Sequence, residues 1–151
     1  MNTFIITRKI FNKLMKELKI MQDRGIEDDM PSVFMLGGRN NKIDTIIEIK
    51  GYAYEDEYGH LRGCEEMASI KRKEMSRVCI EVFKHKRIPY GIARIHYMSF
   101  DNAESSSCVV GPVLYQMGRM GGFLLTLDTN GIYIQQAYDD CTVRKIQYTI
   151  K

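Results

Sequence analysis

At 151 residues the chain is long enough for one domain with a real core, and its 44% hydrophobic and 27% charged residues make an ordinary soluble balance. A net charge of +3 is too small by itself to imply nucleic acid, and no apolar run approaches the roughly 20 residues that span a bilayer. Cys64, Cys79, Cys108 and Cys141 are widely spaced and form no C-x-x-C pair, which argues against a zinc knuckle and for reduced thiols in a cytoplasmic protein.

The opening MNTFIITRKIFNKLMK is not read as a signal peptide. Its short apolar stretch precedes the basic residues, and no small-residue cleavage site follows. Thr7 is a candidate N-cap for a helix over residues 8–24. Ile10, Leu14, Leu18 and Met21 recur at helical spacing, Phe11 and Met15 widen the stripe, and Lys13, Lys16 and Glu17 fall on the other side. Gly25 is placed to end it. Pro31 precludes helix in the acidic segment that follows. Residues 32–37 and 43–49 read as two strands of a hairpin, turned over Arg39 to Lys42. Residues 51–63 are polar, aromatic and glycine-bounded, and read as a loop.

A second long helix is predicted over residues 65–87, with Met67, Ile70, Met75, Val78, Cys79, Val82 and Phe83 on its buried face. Lys84, Lys86 and Arg87 suit its C-terminus, and Pro89 stops it. A strand then covers residues 91–97 and runs into a polar, serine-rich segment. Residues 109–120 are a weak third helix, interrupted by Gly111, Pro112 and Gly118. Residues 122–127 and 131–136 form a hairpin about Asn130-Gly131, and residues 143–150 alternate as a last strand. The element order is that of a single α+β (mixed α/β) domain over residues 1–151. It has a central, mostly antiparallel sheet flanked by two long helices.

Three features resemble the JAMM/MPN (Mov/Pad-type) metalloprotease-like family: Met35-Leu36-Gly37 ending the first of these strands, a long helix before the strand of residues 91–97, and the hairpin FLLTLDTNGIYI. The resemblance covers nearly the whole chain and implies a cytidine-deaminase-like architecture. The family carries zinc on His-x-His-Pro followed by Ser-x-x-Asp, with a glutamate as general base. Here Arg94 stands at the first histidine, His96 at the second and Tyr97 at the proline. Met30 stands at the general base, with Asp28 and Asp29 next to it. The Ser and Asp positions fall on Glu104 and Ser107 or, one residue on, on Ser105 and Cys108.

A catalytic zinc needs three protein ligands and an open position for water. His96 alone does not supply them, and Arg94 brings a permanent positive charge to the place of a cation. The ordinary reading of His96 is a strand-end histidine bonded to backbone or carboxylate. A residual site would be built from Arg94, Asp101, Glu104 and Ser105, with Arg94 paired to a carboxylate such as Glu104 or Asp29. The resemblance therefore implies a catalytically degenerate domain with no cofactor and no catalytic residue. It would serve as a protein-binding or scaffold module in a homo- or heterodimer, with no membrane or nucleic-acid partner. The abundance of methionine, 10 residues, suits adaptable partner surfaces and core filling equally. The alternative is a zinc peptidase or isopeptidase acting on ubiquitin-like conjugates through a rearranged set of His96, Asp101, Glu104 and Cys108.

Overall fold

The computed structural model describes residues 3–24, 32–50, 54–55, 61–62, 72–95, 122–128, 131–137 and 143–151. In chain order the elements are β1 (Thr3–Ile6), α1 (Arg8–Arg24), β2 (Ser32–Arg39), β3 (Lys42–Glu48), β4 (Tyr54–Glu55) and β5 (Leu61–Arg62). They continue with α2 (Arg72–Lys84), β6 (Ile88–Ile95), β7 (Phe123–Asp128), β8 (Gly131–Ala137), β9 (Val143–Lys145) and β10 (Gln147–Ile150). Among the described residues eight strands make one sheet in the order β10-β1-β3-β2-β6-β7-β8-β9, and β4 pairs with β5 separately.

The helices begin and end for local reasons. Thr7 caps α1: its Oγ1 accepts the Ile10 N–H at 3.4 Å, and its carbonyl accepts the first intrahelical bond, from Phe11 N–H at 2.9 Å. Ile10, Leu14, Leu18 and Met21 are buried, whereas Met15, expected to widen the stripe, is 40% exposed. Helix α2 ends at Lys84 in a Schellman turn. Lys86 N–H bonds the Phe83 carbonyl at 2.9 Å and Arg87 N–H reaches back to the Val82 carbonyl at 3.3 Å. Met75, Val78 and Val82 are buried as expected, but Phe83 is 59% exposed. Its position one residue past Val82 turns it off the packed face. The expected helical residues 65–71 and the expected third helix lie outside the described residues, as does Gly25.

Alternation splits the sheet's side chains between two cores. Val33 and Met35 of β2, Ile92 of β6 and Leu124 of β7 meet Met75, Val78 and Val82 of α2. Phe34, Leu36, Ala93, Ile95, Phe123, Leu125 and Leu127 point the other way, onto Ile10, Leu14, Leu18 and Met21 of α1. The central strands are thus buried on both faces, which accounts for their near-continuous apolar sequences. A bulge between Gly37 and Gly38 shifts the β2–β3 register. As a result Ile43 and Ile46, three apart, both serve the α1 core.

The sheet is mostly antiparallel, as expected, but it is mixed. Pairs β2–β3, β2–β6, β7–β8 and β8–β9 are antiparallel, but β1–β10, β1–β3 and β6–β7 are parallel. Strand β1 was not expected at all; its four residues are too few to show a period. Strand β6 begins at Ile88 rather than residue 91, and Pro89 is accommodated where the register with β2 shifts. The segment expected as a loop over residues 51–63 contains the β4–β5 pair.

The expected last strand is two strands at opposite ends of the sheet. Val143, Arg144 and Lys145 pair with β8, whereas Gln147 to Ile150 pair with β1. Only Ile146 separates them, so the sheet curls until its ends nearly meet. Helix α1 lies on the concave side, because its core draws on β1 and β8, near the two ends of the order, with Ile146, Tyr148 and Ile150 packed against it. Helix α2 packs on the outer face over β2, β3 and β6.

Candidate functional site

Strand β6 carries the one charged residue that is buried among the described residues. Arg94 is 2% exposed, on the α2 side of the sheet by its alternation with Ile92. Its register neighbours are Val33 on β2 and Thr126 on β7. Thr126 is 1% exposed and Gln135, opposite Leu124 on β8, is 2% exposed. By alternation Tyr133, opposite Thr126, shares this face. The outer face of β6, β7 and β8 thus changes from aliphatic to polar along the strands: Ile92 and Leu124 give way to Arg94 and Thr126.

Such a row is costly unless its groups are bonded. Arg94 is engaged in an interaction of its own. Thr126 Oγ1 and Gln135 Oε1 are buried with no hydrogen-bond partner among the described residues. Arg94 is a fixed cation and donates only, while the hydroxyl and amide donate and accept. The three side chains supply one fixed cation and two neutral polar groups, none of them an anionic metal ligand. Among the described residues no three of His, Cys, Asp and Glu gather to hold a metal ion.

Of the residues named from the sequence, Arg94 is placed in the interior of the sheet. His96, Asp101, Glu104, Ser105 and Cys108 lie outside the described residues, as do Asp28, Asp29 and Met30, so their relation to Arg94 is not defined. Thr126 and Gln135 were not anticipated. Their signal was a polar residue interrupting an apolar strand, as in FLLTLD, which alone does not separate an inward from an outward side chain.

Two other polar places are structural in character. Arg87 Nε donates to both Asp44 carboxylate oxygens at 3.0 Å, joining the turn after α2 to β3. Burial pushes the Asp44 carboxyl up, but the bonds from Arg87 and Thr45 and the charges of Arg87 and Lys42 outweigh it and hold it below the usual value. At the seam of the curled sheet, Tyr148 Oη donates to the Ile132 carbonyl at 3.3 Å, beside a cavity of ≈ 360 Å³ lined by Ile132, Tyr133, Ile146 and Tyr148 among others. Burial, with a smaller effect from Tyr133, raises the Tyr148 phenol, so it remains a neutral donor. The Cys79 thiol is free and is raised by burial, which makes it a poor nucleophile. Met21, Met35 and Met75 fill the core.

No protein-family model and no curated protein matches this chain. Among solved structures, the solution structure of protein DSY2949 from Desulfitobacterium hafniense is similar. It is 12% identical with a TM-score of 0.60, over 99% of this chain and 93% of that one. At that identity the likeness is one of fold. No helix among the described residues is long and apolar enough to cross a membrane.

Proposed function

We propose that the chain is a catalytically degenerate JAMM/MPN-like domain that serves as a protein-binding or scaffold module. The observation that carries this reading is Arg94. It occupies the position matched to the family's first histidine ligand, and it is 2% exposed in the interior of the sheet. A guanidinium there cannot lose its proton to make room for a dication, and it has no lone pair with which to ligate one. The succession of α1, the β2–β3 hairpin, α2, β6 and the β7–β8 hairpin is compatible with the architecture implied by the resemblance. The buried position of β6 between β2 and β7 is what a family member would need to hold a site at the strand's end.

Metal analysis of protein purified without chelator tests the reading, together with an assay on ubiquitin-like conjugates. Zinc far below one equivalent and no cleavage are expected. Near-stoichiometric zinc that is lost in His96→Ala overturns the reading and favours the hydrolase.

A further inference from the structure

The curl of the sheet leaves a cleft between β8 and β10. Strand β8 pairs with β9 from Gln135 to Ala137, and one further bond joins Ile146 N–H to the Ile134 carbonyl at 2.8 Å. Beyond that point β10 pairs with β1, and among the described residues no strand lies beside residues 131–133 on that side of β8. The Ile132 carbonyl is met instead by the tip of a side chain, Tyr148 Oη, at 3.3 Å. Strands about 4.8 Å apart bond backbone to backbone, so β8 and β10 stand wider apart than that here. The cavity between them, ≈ 360 Å³, lies within the roughly 300–1,000 Å³ of ligand pockets and far exceeds the about 30 Å³ of one water.

Backbone direction decides what the cleft offers. The Ile134 carbonyl faces β9, so by the two-residue period the N–H and carbonyl of Ile132 face the cleft. On the other wall, Lys151 N–H bonds the Ile6 carbonyl at 3.1 Å, so residues 147, 149 and 151 face β1. The N–H and carbonyl groups of Tyr148 and Ile150 therefore face the cleft. Both walls are sheet edges, with donors and acceptors at the repeat of an extended chain. Their side chains divide as well. Ile132, Ile146, Tyr148 and Ile150 pack toward the α1 core, whereas Lys145, Gln147 and Thr149 are exposed.

We propose that the cleft takes an extended segment of a partner protein as an added strand between β8 and β10. The backbone groups of the two walls select this occupant: an extended main chain supplies alternating N–H and carbonyl groups to both, whereas a helix spends its own internally. The inward side chains of the segment are apolar, to meet the α1 core, and alternate with polar ones that face outward beside Gln147 and Thr149. One of its N–H groups takes the Ile132 carbonyl over from Tyr148 Oη. The inference rests on the reading of the chain as a protein-binding module and names the way it holds a partner.

The test uses the full chain, isotope-labelled for NMR, and a capped peptide of alternating valine and threonine, about six residues long as strands usually are. A matched peptide is N-methylated at alternate residues, which keeps its side chains and removes main-chain donors. The unmodified peptide is expected to bind and to slow hydrogen exchange at the Ile132, Tyr148 and Ile150 amides about tenfold or more. The N-methylated peptide is expected not to bind. Tyr148→Phe removes the hydroxyl that competes for the Ile132 carbonyl and is expected to tighten binding about fivefold, the worth of one hydrogen bond. Ile132→Pro removes a donor of the cleft wall but none of the ladder to β7, and is expected to weaken binding about tenfold. Circular dichroism checks that the variants fold, and if Ile132→Pro does not, the N-methylated peptide still tests the same pairing. Failure of the unmodified peptide to bind, equal binding of the two peptides, or protection only at amides away from the cleft overturns the proposal. So does a homodimer in sedimentation without peptide that Ile132→Pro dissociates, since a second copy would then fill the cleft. The zinc measurement is independent of all of these, so failure there refutes the degenerate-site reading without touching the cleft.

Discussion

Lys86 adopts a left-handed backbone with φ 58°, at the position after a helix that glycine usually fills. A side chain there costs about 1 kcal/mol. The Schellman bonds of Lys86 and Arg87 hold the residue in that conformation. Replacing Lys86 by Gly is therefore expected to raise the unfolding free energy by about 0.5–1 kcal/mol, as urea denaturation would measure. A loss of stability would mean that the lysine side chain contributes more than its backbone costs. Asn40 and Asn41 take the same region, with φ 54° and 61°, in the two-residue β2–β3 turn. Asparagine tolerates it, which is why that turn was legible and the Lys86 turn was not.

Among the elements, the Asp44–Arg87 pair matters because it ties β3 to the junction of α2 and β6, 43 residues further on. The Asp44 carboxyl is lowered in the folded protein. Its contribution is therefore complete above about pH 4, the unfolded value, and is lost as pH falls through the lower folded value. Asp44→Asn is expected to cost about 1 kcal/mol at pH 7, since the groups are partly exposed. Urea unfolding at pH 7, 5 and 3 should show an unchanged gap between wild type and variant at the first two and a smaller one at the third. A gap that persists undiminished well below pH 3 would remove the carboxylate charge as its cause. The same scale shows where periodicity misleads. The stripe identified the buried face of α2 correctly at Met75, Val78 and Val82 but included Phe83, whose exposure only packing decides.

At the scale of the molecule, β9 and β10 act as a clasp. Ile146 N–H bonds the Ile134 carbonyl at 2.8 Å, and Lys151 N–H bonds the Ile6 carbonyl at 3.1 Å, so one short segment holds both ends of the sheet. Ile146, Tyr148 and Ile150 add half-buried apolar surface to the α1 core. Removing residues 146–151 is expected to cost about 3 kcal/mol or more, at roughly 1 kcal/mol per half-buried side chain plus the lost ladder with β1. It also bares the β1 edge and promotes association. Tyr148→Phe, which removes only the bond to Ile132, is expected to cost about 1 kcal/mol. A truncated chain within 1 kcal/mol of wild type by urea unfolding would refute the clasp (about the worth of a single hydrogen bond).

What the sequence determined by itself was local. The α1 cap and apolar stripe, the Asn-Asn turn, the β7–β8 hairpin and the α+β class all follow from periods, caps and turn residues within a few positions of one another. What only the tertiary structure decided was non-local: the parallel β1, the division of residues 143–150 between the two ends of the sheet, and the inward placement of Arg94, Thr126 and Gln135. Parallel pairing leaves no turn signal, and a four-residue strand has no measurable period. Which face of a strand is covered depends on what packs over it from elsewhere in the chain, and that information is absent from the strand itself.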